Sequence, residues 1–350
     1  MNHLRIALTL LFGAAGGWVC WKLTTPLPWM IGAMTVITAA AVAGAPVRSW
    51  RQLRSVMVTI LGVLLGSGFT PDLMSHIVAW PVSLLSLFVY CGVSFAVGMA
   101  YFWRVAKLDP ITSFFAAAPG GLNEMVIIGG QMGGDERAIS LLHAVRILLV
   151  VFTIPIWFRV FEGYVPSVTA ATNIGLLQVP VLELAKLGAC AVVGFVFGRV
   201  ARLPAGDMLG PMFVSAIAHM TGLTAARPPV ELVSAAQVVL GVAIGSRFAG
   251  TTVQEIARPI SHGAVFAFIL LGIAVLSAWL LHGITGLSTQ ALTLAYAPGG
   301  VMEMSLVALA LSIDVALVAT HHAVRLFIVL LLTAPGFRAL QKWRRKPPEA

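Results

Sequence analysis

Charge is what this 350-residue sequence has least of. Only 10% of its side chains are Asp, Glu, Lys or Arg, and 59% are hydrophobic. Soluble domains carry roughly 25% and 45–50%. Its 22 basic and 13 acidic residues cannot coat a globular surface of this size. That excludes a soluble enzyme, a disordered chain and a nucleic-acid-binding domain of ordinary size. Cysteine is nearly as scarce. Cys20, Cys91 and Cys190 each sit in an apolar stretch, which is neither a disulfide framework nor a metal-ligand spacing. There is no Gly-rich phosphate loop ending in Lys-Ser/Thr, the mark of a nucleotide-driven engine. The eight His are scattered apart from His321-His322 and form no metal set, and no nucleophile–base motif stands out. No cofactor, metal site or catalytic constellation is expected, and the protein is not expected to be an enzyme.

What is abundant fits a membrane bundle. Thirty-four Gly and 19 Pro are awkward in soluble helices and tolerated in lipid-embedded ones. The fold class read from composition is an all-α polytopic membrane protein. Met1–Arg5 is followed by an apolar run from Ile6 without a clean small-x-small cleavage site, so a retained first helix is expected rather than a signal peptide. Six apolar segments fill the first half, near 6–23, 29–45, 53–69, 77–103, 111–132 and 139–158. Six more follow, near 181–199, 208–224, 232–248, 262–281, 289–312 and 315–337. The fifth of each set is interrupted by Pro-Gly-Gly, so twelve segments need not be twelve spans.

The halves match in register. Leu61-Gly62-Val63-Leu64-Leu65-Gly66-Ser67-Gly68-Phe69 corresponds to Leu240-Gly241-Val242-Ala243-Ile244-Gly245-Ser246-Arg247-Phe248. Ala118-Pro119-Gly120-Gly121-Leu122-Asn123-Glu124-Met125 corresponds to Ala297-Pro298-Gly299-Gly300-Val301-Met302-Glu303-Met304, and His143-Ala144-Val145-Arg146 to His322-Ala323-Val324-Arg325. Apolar residues recur by chance in any membrane protein, but Pro, Gly, Glu, His and Arg in register do not. The expected organisation is a first membrane repeat at 1–162, a linker at 163–179, a second repeat at 180–340 and a basic cytoplasmic tail at 341–350. Each repeat would hold about five spanning helices plus one broken segment, giving 10–12 membrane segments in all.

Basic residues favour inverted repeats. If each Pro-Gly-Gly segment returns to its own side, 16 of the 22 basic residues fall in the cytoplasm and 4 outside, with Arg146 and Arg325 inside the membrane. If all twelve segments cross, the repeats are parallel and the split weakens to 14 against 6. Both plans place both termini in the cytoplasm. The net charge of +9 then reflects cytoplasmic loops rather than a nucleic-acid partner.

The two broken segments carry the chemistry. Pro119, Gly120 and Gly121, with their copies Pro298, Gly299 and Gly300, interrupt an apolar helix, and a break exposes unpaired backbone groups. A half-helix starting after Gly121 or Gly300 points its positive end at that break, with Glu124 or Glu303 in its first turn. Tight loops with N-capping acids would use the same residues. Paired breaks at corresponding positions nevertheless point to a substrate or ion site, in which Asn123 makes the first copy the more polar. His143 and Arg146 share one helix face, as do His322 and Arg325. A buried Arg needs a partner, and Glu124 and Glu303 are the obvious candidates. The pairs serve either as packing ion pairs or as a proton or anion relay, since His titrates near neutrality. The copies differ where Asn123 becomes Met302, Gln131 becomes Ala310, Gly68 becomes Arg247, and Leu142 becomes His321. Gly66-Ser67 and Gly245-Ser246 read either as a second weak point or as small-residue helix packing. Asp109, Asp135, Glu136, Asp207 and Asp314 fall at segment ends, where capping or solvation accounts for them. Trp18, Trp21, Trp29, Trp50, Trp80, Trp103 and Trp157 cluster near segment ends like an interfacial belt.

The doubled Ala-Pro-Gly-Gly-x-x-Glu-Met, each followed by His-Ala-Val-Arg, and the paired Leu-Gly-Val-x-x-Gly-Ser-x-Phe segments resemble the bacterial membrane AbrB family over about residues 6–340. That family shares only its name with the small soluble DNA-binding AbrB of spore-formers. Its members have been labelled regulators of aidB expression and, automatically, ammonia monooxygenases. The resemblance implies a multi-pass protein of the bacterial inner (plasma) membrane, without supplying an activity. The broken-helix plan is also similar to secondary transporters of the cation–proton antiporter and anion-transporter group. The function expected is a secondary-transporter-like permease or exporter of a small solute. The alternative is a membrane-bound regulator of gene expression that acts indirectly, without a DNA-binding domain. The partners expected are a small solute or ion and membrane lipid, with homo-oligomers compatible and no direct contact with nucleic acid.

Overall fold

The computed structural model describes residues 2–71, 73, 77–163, 174–251 and 253–345. Residues 164–173 of the expected linker and 346–350 of the expected tail lie outside the described residues. Among the described residues every regular element is a helix. The first seven are α1 (Asn2–Lys22), α2 (Pro28–Val42), α3 (Arg51–Gly66), α4 (Trp80–Ala100), α5 (Pro110–Ala117), α6 (Leu122–Gln131) and α7 (Glu136–Phe161). The second seven are α8 (Val181–Val200), α9 (Gly206–Met220), α10 (Val230–Gly245), α11 (Val253–Thr285), α12 (Thr289–Tyr296), α13 (Val301–Ala310) and α14 (Val315–Arg345). In each set the fifth and sixth helices have only 8 and 10 residues.

Among the described residues, seven helices are long and apolar enough to cross a membrane: α1, α4, α7, α8, α10, α11 and α14, where α10 is counted through its 3-10 extension to Phe248. The other spans expected from the sequence, α2, α3 and α9, have 15, 16 and 15 residues. At 1.5 Å per residue they rise roughly 22–24 Å, short of a ~30 Å hydrocarbon core.

The first Pro-Gly-Gly segment is a hairpin. It folds back, because the Asp135 N–H beyond α6 donates to Thr112 Oγ1 in the first turn of α5 at 2.8 Å. The hairpin is bracketed by caps that the acids at segment ends supply. Asp109 accepts from the N–H groups of Ile111 and Thr112, and Asp135 from those of Arg137 and Ala138. Each satisfies orphan donors at a helix start. Asp314 accepts from the Leu317 N–H in the same way. Asp207 departs from this pattern, accepting from Ser55 on α3 and from Arg199.

The helices gather into two bundles, and each half of the chain contributes to both. In the first, α1 packs on α2, α8 on α9, α2 on α10, and α3 on α9 and α10. In the second, α4 and α11 pair, α5 and α6 lie on α7, α12 and α13 lie on α14, and α7 and α14 pack on α11 and α4. The principal contacts between the bundles are few: α3 on α13 and α14, and α2 with the Ser246–Phe248 turn on α7.

The first bundle is held by close backbone crossings. A Cβ at Gly62 would lie 2.5 Å from Met208 O, and one at Gly241 would lie 2.5 Å from Met30 O. Gly66 and Gly245 meet α9 and α2 one turn further on. Of the two readings of the Gly-Ser pairs, the contacts are those of small-residue packing, with α3 and α10 helical through Gly66 and Gly245.

Candidate functional site

The two breaks are built from the same parts but differ in backbone. Gly121 precedes α6 in the left-handed region at φ 56°, where glycine adopts the turn without steric cost. Gly300 precedes α13 in an extended conformation, φ −82°. It is glycine for another reason: the Glu303 carboxylate folds back over it, and Oε2 would lie 2.0 Å from a Cβ there. Glu303 is held there by its own backbone N–H, and Glu124 likewise turns toward Gly121. Both acids therefore sit against the positive ends of their own half-helices.

Ending α5 and α12 leaves carbonyl oxygens without intrahelical donors, and Pro119 and Pro298 have no N–H to offer. The following long helix supplies the donors. His143 Nε2 donates to Phe115 O at 3.0 Å and Arg146 Nη1 to Ala118 O at 3.0 Å. The equivalent residues repeat this: His322 Nε2 donates to Leu294 O at 2.8 Å and Arg325 Nη1 to Ala297 O at 2.6 Å. Arg325 Nη2 also donates to Gly299 O, inside the break. All four side chains are almost fully buried. The expected pairing of these arginines with Glu124 and Glu303 is not found: among the described residues neither Arg forms an ion pair with either Glu. Freed carbonyls take the guanidinium donors instead.

The two His–Arg pairs are not equivalent. A carbonyl oxygen only accepts, so both imidazoles carry their proton on Nε2. His322 Nδ1 then accepts from Arg325 Nη2 at 2.8 Å, and a second proton there would set two donors face to face. His143 Nδ1 and Arg146 Nε are buried without a partner. Of the two expected proton carriers, His143 keeps an open acceptor and His322 does not.

Two further clusters went unassigned in the sequence. Arg247, in the turn after α10, donates through Nη2 to Asn123 Oδ1 on the first turn of α6 at 2.7 Å. Arg247 and Arg54 of α3 both lie within electrostatic reach of Glu303. Thus Asn123 of the first break bonds Arg247, and Glu303 of the second lies within electrostatic reach of Arg247 and Arg54, both from the other bundle. The available signal was the exchange of Gly68 for Arg247 between the copies. The second cluster surrounds His321. Its Nδ1 donates to Leu317 O at 2.8 Å, and its Nε2 faces Ser83 Oγ at 2.9 Å. Tyr296 donates to Ser83 O and shares a hydrogen bond with Ser86 at 2.5 Å. This network is buried between α4, α12 and α14, and Leu142 replaces His321 in the first copy.

No group of three or more His, Cys, Asp or Glu among the described residues could hold a metal ion.

The fold and the site together define an all-helical protein of multi-pass membrane type, with two broken hairpins buttressed by long helices. The chain belongs to the AbrB family: the family model, described as Transition state regulatory protein AbrB, matches residues 29–341. It is 29% identical to the protein YhjN of Bacillus subtilis (strain 168), over 97% of this chain and 94% of that protein. It is 27% identical to a protein of Escherichia coli (strain K12) named as a regulator, AbrB, over 89% of each.

Proposed function

We propose that the protein is a secondary-transporter-like permease or exporter of a small solute, without enzymatic activity. Its repeats are inverted, it lies in the bacterial inner membrane, and both termini are cytoplasmic. The observation that carries the reading is that one break bonds an arginine of a second helix bundle, and the other lies within electrostatic reach of two, across a thin interface. Broken helices at corresponding positions of two halves are the usual setting of a solute site, and rocking of one bundle against another gives alternating access.

Hydrogen bonds between loops support the sidedness. Arg159 donates to Thr24 O and Gln290 to Glu162, which groups the loops after α1 and α7 with the start of α12. Arg137 donates to Gly250 O, which groups the start of α7 with the loop before α11. Lipid is the natural partner of the exposed apolar faces of α4, α8 and α11, such as Leu85, Val89, Val192 and Trp279.

The test is flux into proteoliposomes under pH and sodium gradients across a broad solute panel. Gradient-driven flux in the wild type, lost in the Glu124→Gln/Glu303→Gln double variant, is the expected result. No flux for any solute would refute the reading. The family description and the name of the E. coli relative favour a second reading, a membrane-bound regulator. On the reading proposed here, regulation follows indirectly from the solute moved. A double variant that lost flux but kept a full effect on gene expression would separate the two.

A further inference from the structure

We propose that the protein binds a small oxyanion, of carboxylate or phosphate type, where its two bundles meet. Arg54 and Arg247 would bind it from one side, and Asn123 from the other. The inference deepens the permease reading and rests on it for what becomes of the ligand; binding itself can be tested apart from flux.

Charge balance comes first. Two guanidinium groups lie within electrostatic reach of one carboxylate, that of Glu303. That carboxylate is already turned onto the start of its own helix, over Gly300. Arg247 donates to Asn123 Oδ1, a neutral oxygen that satisfies an N–H without offsetting the charge. Among the described residues neither Arg54 nor Arg247 has an ion-pair partner within 4.0 Å. Two neighbouring guanidinium groups with no ion-pair partner repel each other, and a bound anion would supply the missing counter-charge. A cation would instead meet two like charges.

The geometry of the opposite wall is equally suited. Asn123 stands in the first turn of α6, whose N-cap Gly121 supplies no side-chain acceptor. The Glu124 carboxylate already turns toward that start, so the donor on this wall is the Asn123 carboxamide, whose N–H₂ stays available to an oxyanion while its Oδ1 accepts from Arg247. Asn123 is exposed and Arg247 only partly buried, so a ligand can reach both side chains. Guanidinium groups favour planar, bidentate acceptors, which selects carboxylates and phosphates over spherical halides.

The site is also built once rather than twice. The matched positions of Arg54, Arg247 and Asn123 hold Val233, Gly68 and Met302. Symmetric packing would need no such difference, whereas a site for a charged ligand entering from one side does. Arg54 and Arg247 belong to the first bundle, and Asn123 and Glu303 to the second. An anion bound between them draws the bundles together, so that binding biases their arrangement.

The test uses full-length purified protein in detergent. Its thermal stability is titrated with sodium phosphate, sodium succinate and sodium acetate at matched ionic strength in sodium chloride, with arginine hydrochloride and sorbitol as cationic and neutral probes. The wild type should show saturable stabilisation by at least one oxyanion and none by arginine or sorbitol. Arg247→Gln and Arg54→Gln should each weaken it roughly ten- to hundredfold, the loss of one charge-assisted contact. Asn123→Asp, a near-isosteric change that should leave folding intact, places a carboxylate beside Arg247 and should weaken it similarly. Stabilisation by no oxyanion, or undiminished binding in Asn123→Asp and Arg247→Gln, would overturn the proposal. Flux of a cation or a neutral solute without oxyanion binding would sink this inference and leave the permease standing. Saturable binding lost in the variants, with no flux for any solute, would do the reverse.

Discussion

Replacing the two buried arginines by methionine should cost very different amounts, although they occupy matched positions. Arg325 satisfies three acceptors: Ala297 O, Gly299 O and His322 Nδ1. Arg146 satisfies Ala118 O, while its own Nε has no partner. Each buried acceptor left without a donor costs about 1–3 kcal/mol. Removing a buried charge returns its desolvation cost. That term is nearly common to both, since the two side chains are 2% and 4% exposed, and so cancels in the comparison. Two additional orphaned acceptors make Arg325→Met less stable than Arg146→Met by roughly 2–6 kcal/mol. Equilibrium unfolding in mixed micelles with increasing SDS, followed by tryptophan fluorescence, measures the difference directly. Equal losses, or a larger loss for Arg146→Met, would refute the assignment of Arg325 as the main support of its break.

Four other outcomes can be checked with simple variants. Gly241→Ala sets a Cβ 2.5 Å from Met30 O and should destabilise by about 1–3 kcal/mol. Gly92→Ala, with nothing within 4 Å, should be neutral or slightly stabilising in the same unfolding assay. Tyr296→Phe removes the hydroxyl that bonds Ser83 O and Ser86, and should cost about 1–2 kcal/mol. In a background without Cys20, Cys91 and Cys190, an impermeant maleimide should fail to label Lys107→Cys and Glu136→Cys in intact cells while labelling Thr24→Cys. Opposite accessibility of the two residues flanking the first hairpin would mean that this segment crosses the membrane.

The helices were legible because their signals are local. Apolar run lengths set the long spans, Pro119 and Pro298 marked both breaks, and Asp109, Asp135 and Asp314 announced helix starts that they do cap. The partners of the buried arginines were not legible. Arg146 and Arg325 bond backbone oxygens 28 residues earlier, and a backbone acceptor has no letter in a sequence. Side-chain charge offered only Glu124 and Glu303, which instead serve their own helix starts. Arg54 and Arg247 resembled loop cations because their runs end at a membrane face. Their convergence on Glu303 depends on the crossing of α3, α10 and α13 from different halves, which periodicity does not encode. His321 was visible as an unmatched residue, but its partner Ser83 lies 238 residues away.

Relative motion of the two bundles is the central claim, and a reversible tether tests it most directly. Gly68 lies just past the end of α3 in the first bundle and Val315 opens α14 in the second, and a Cβ at Gly68 would lie 3.2 Å from that of Val315. Disulfides join Cβ atoms ~3.5–4.5 Å apart, within reach of a small adjustment. In the cysteine-free background, Gly68→Cys/Val315→Cys protein in proteoliposomes is oxidised, assayed for flux, then reduced and assayed again. Flux that stops on oxidation and returns on reduction is the predicted result. Undiminished flux through fully cross-linked protein would contradict the account.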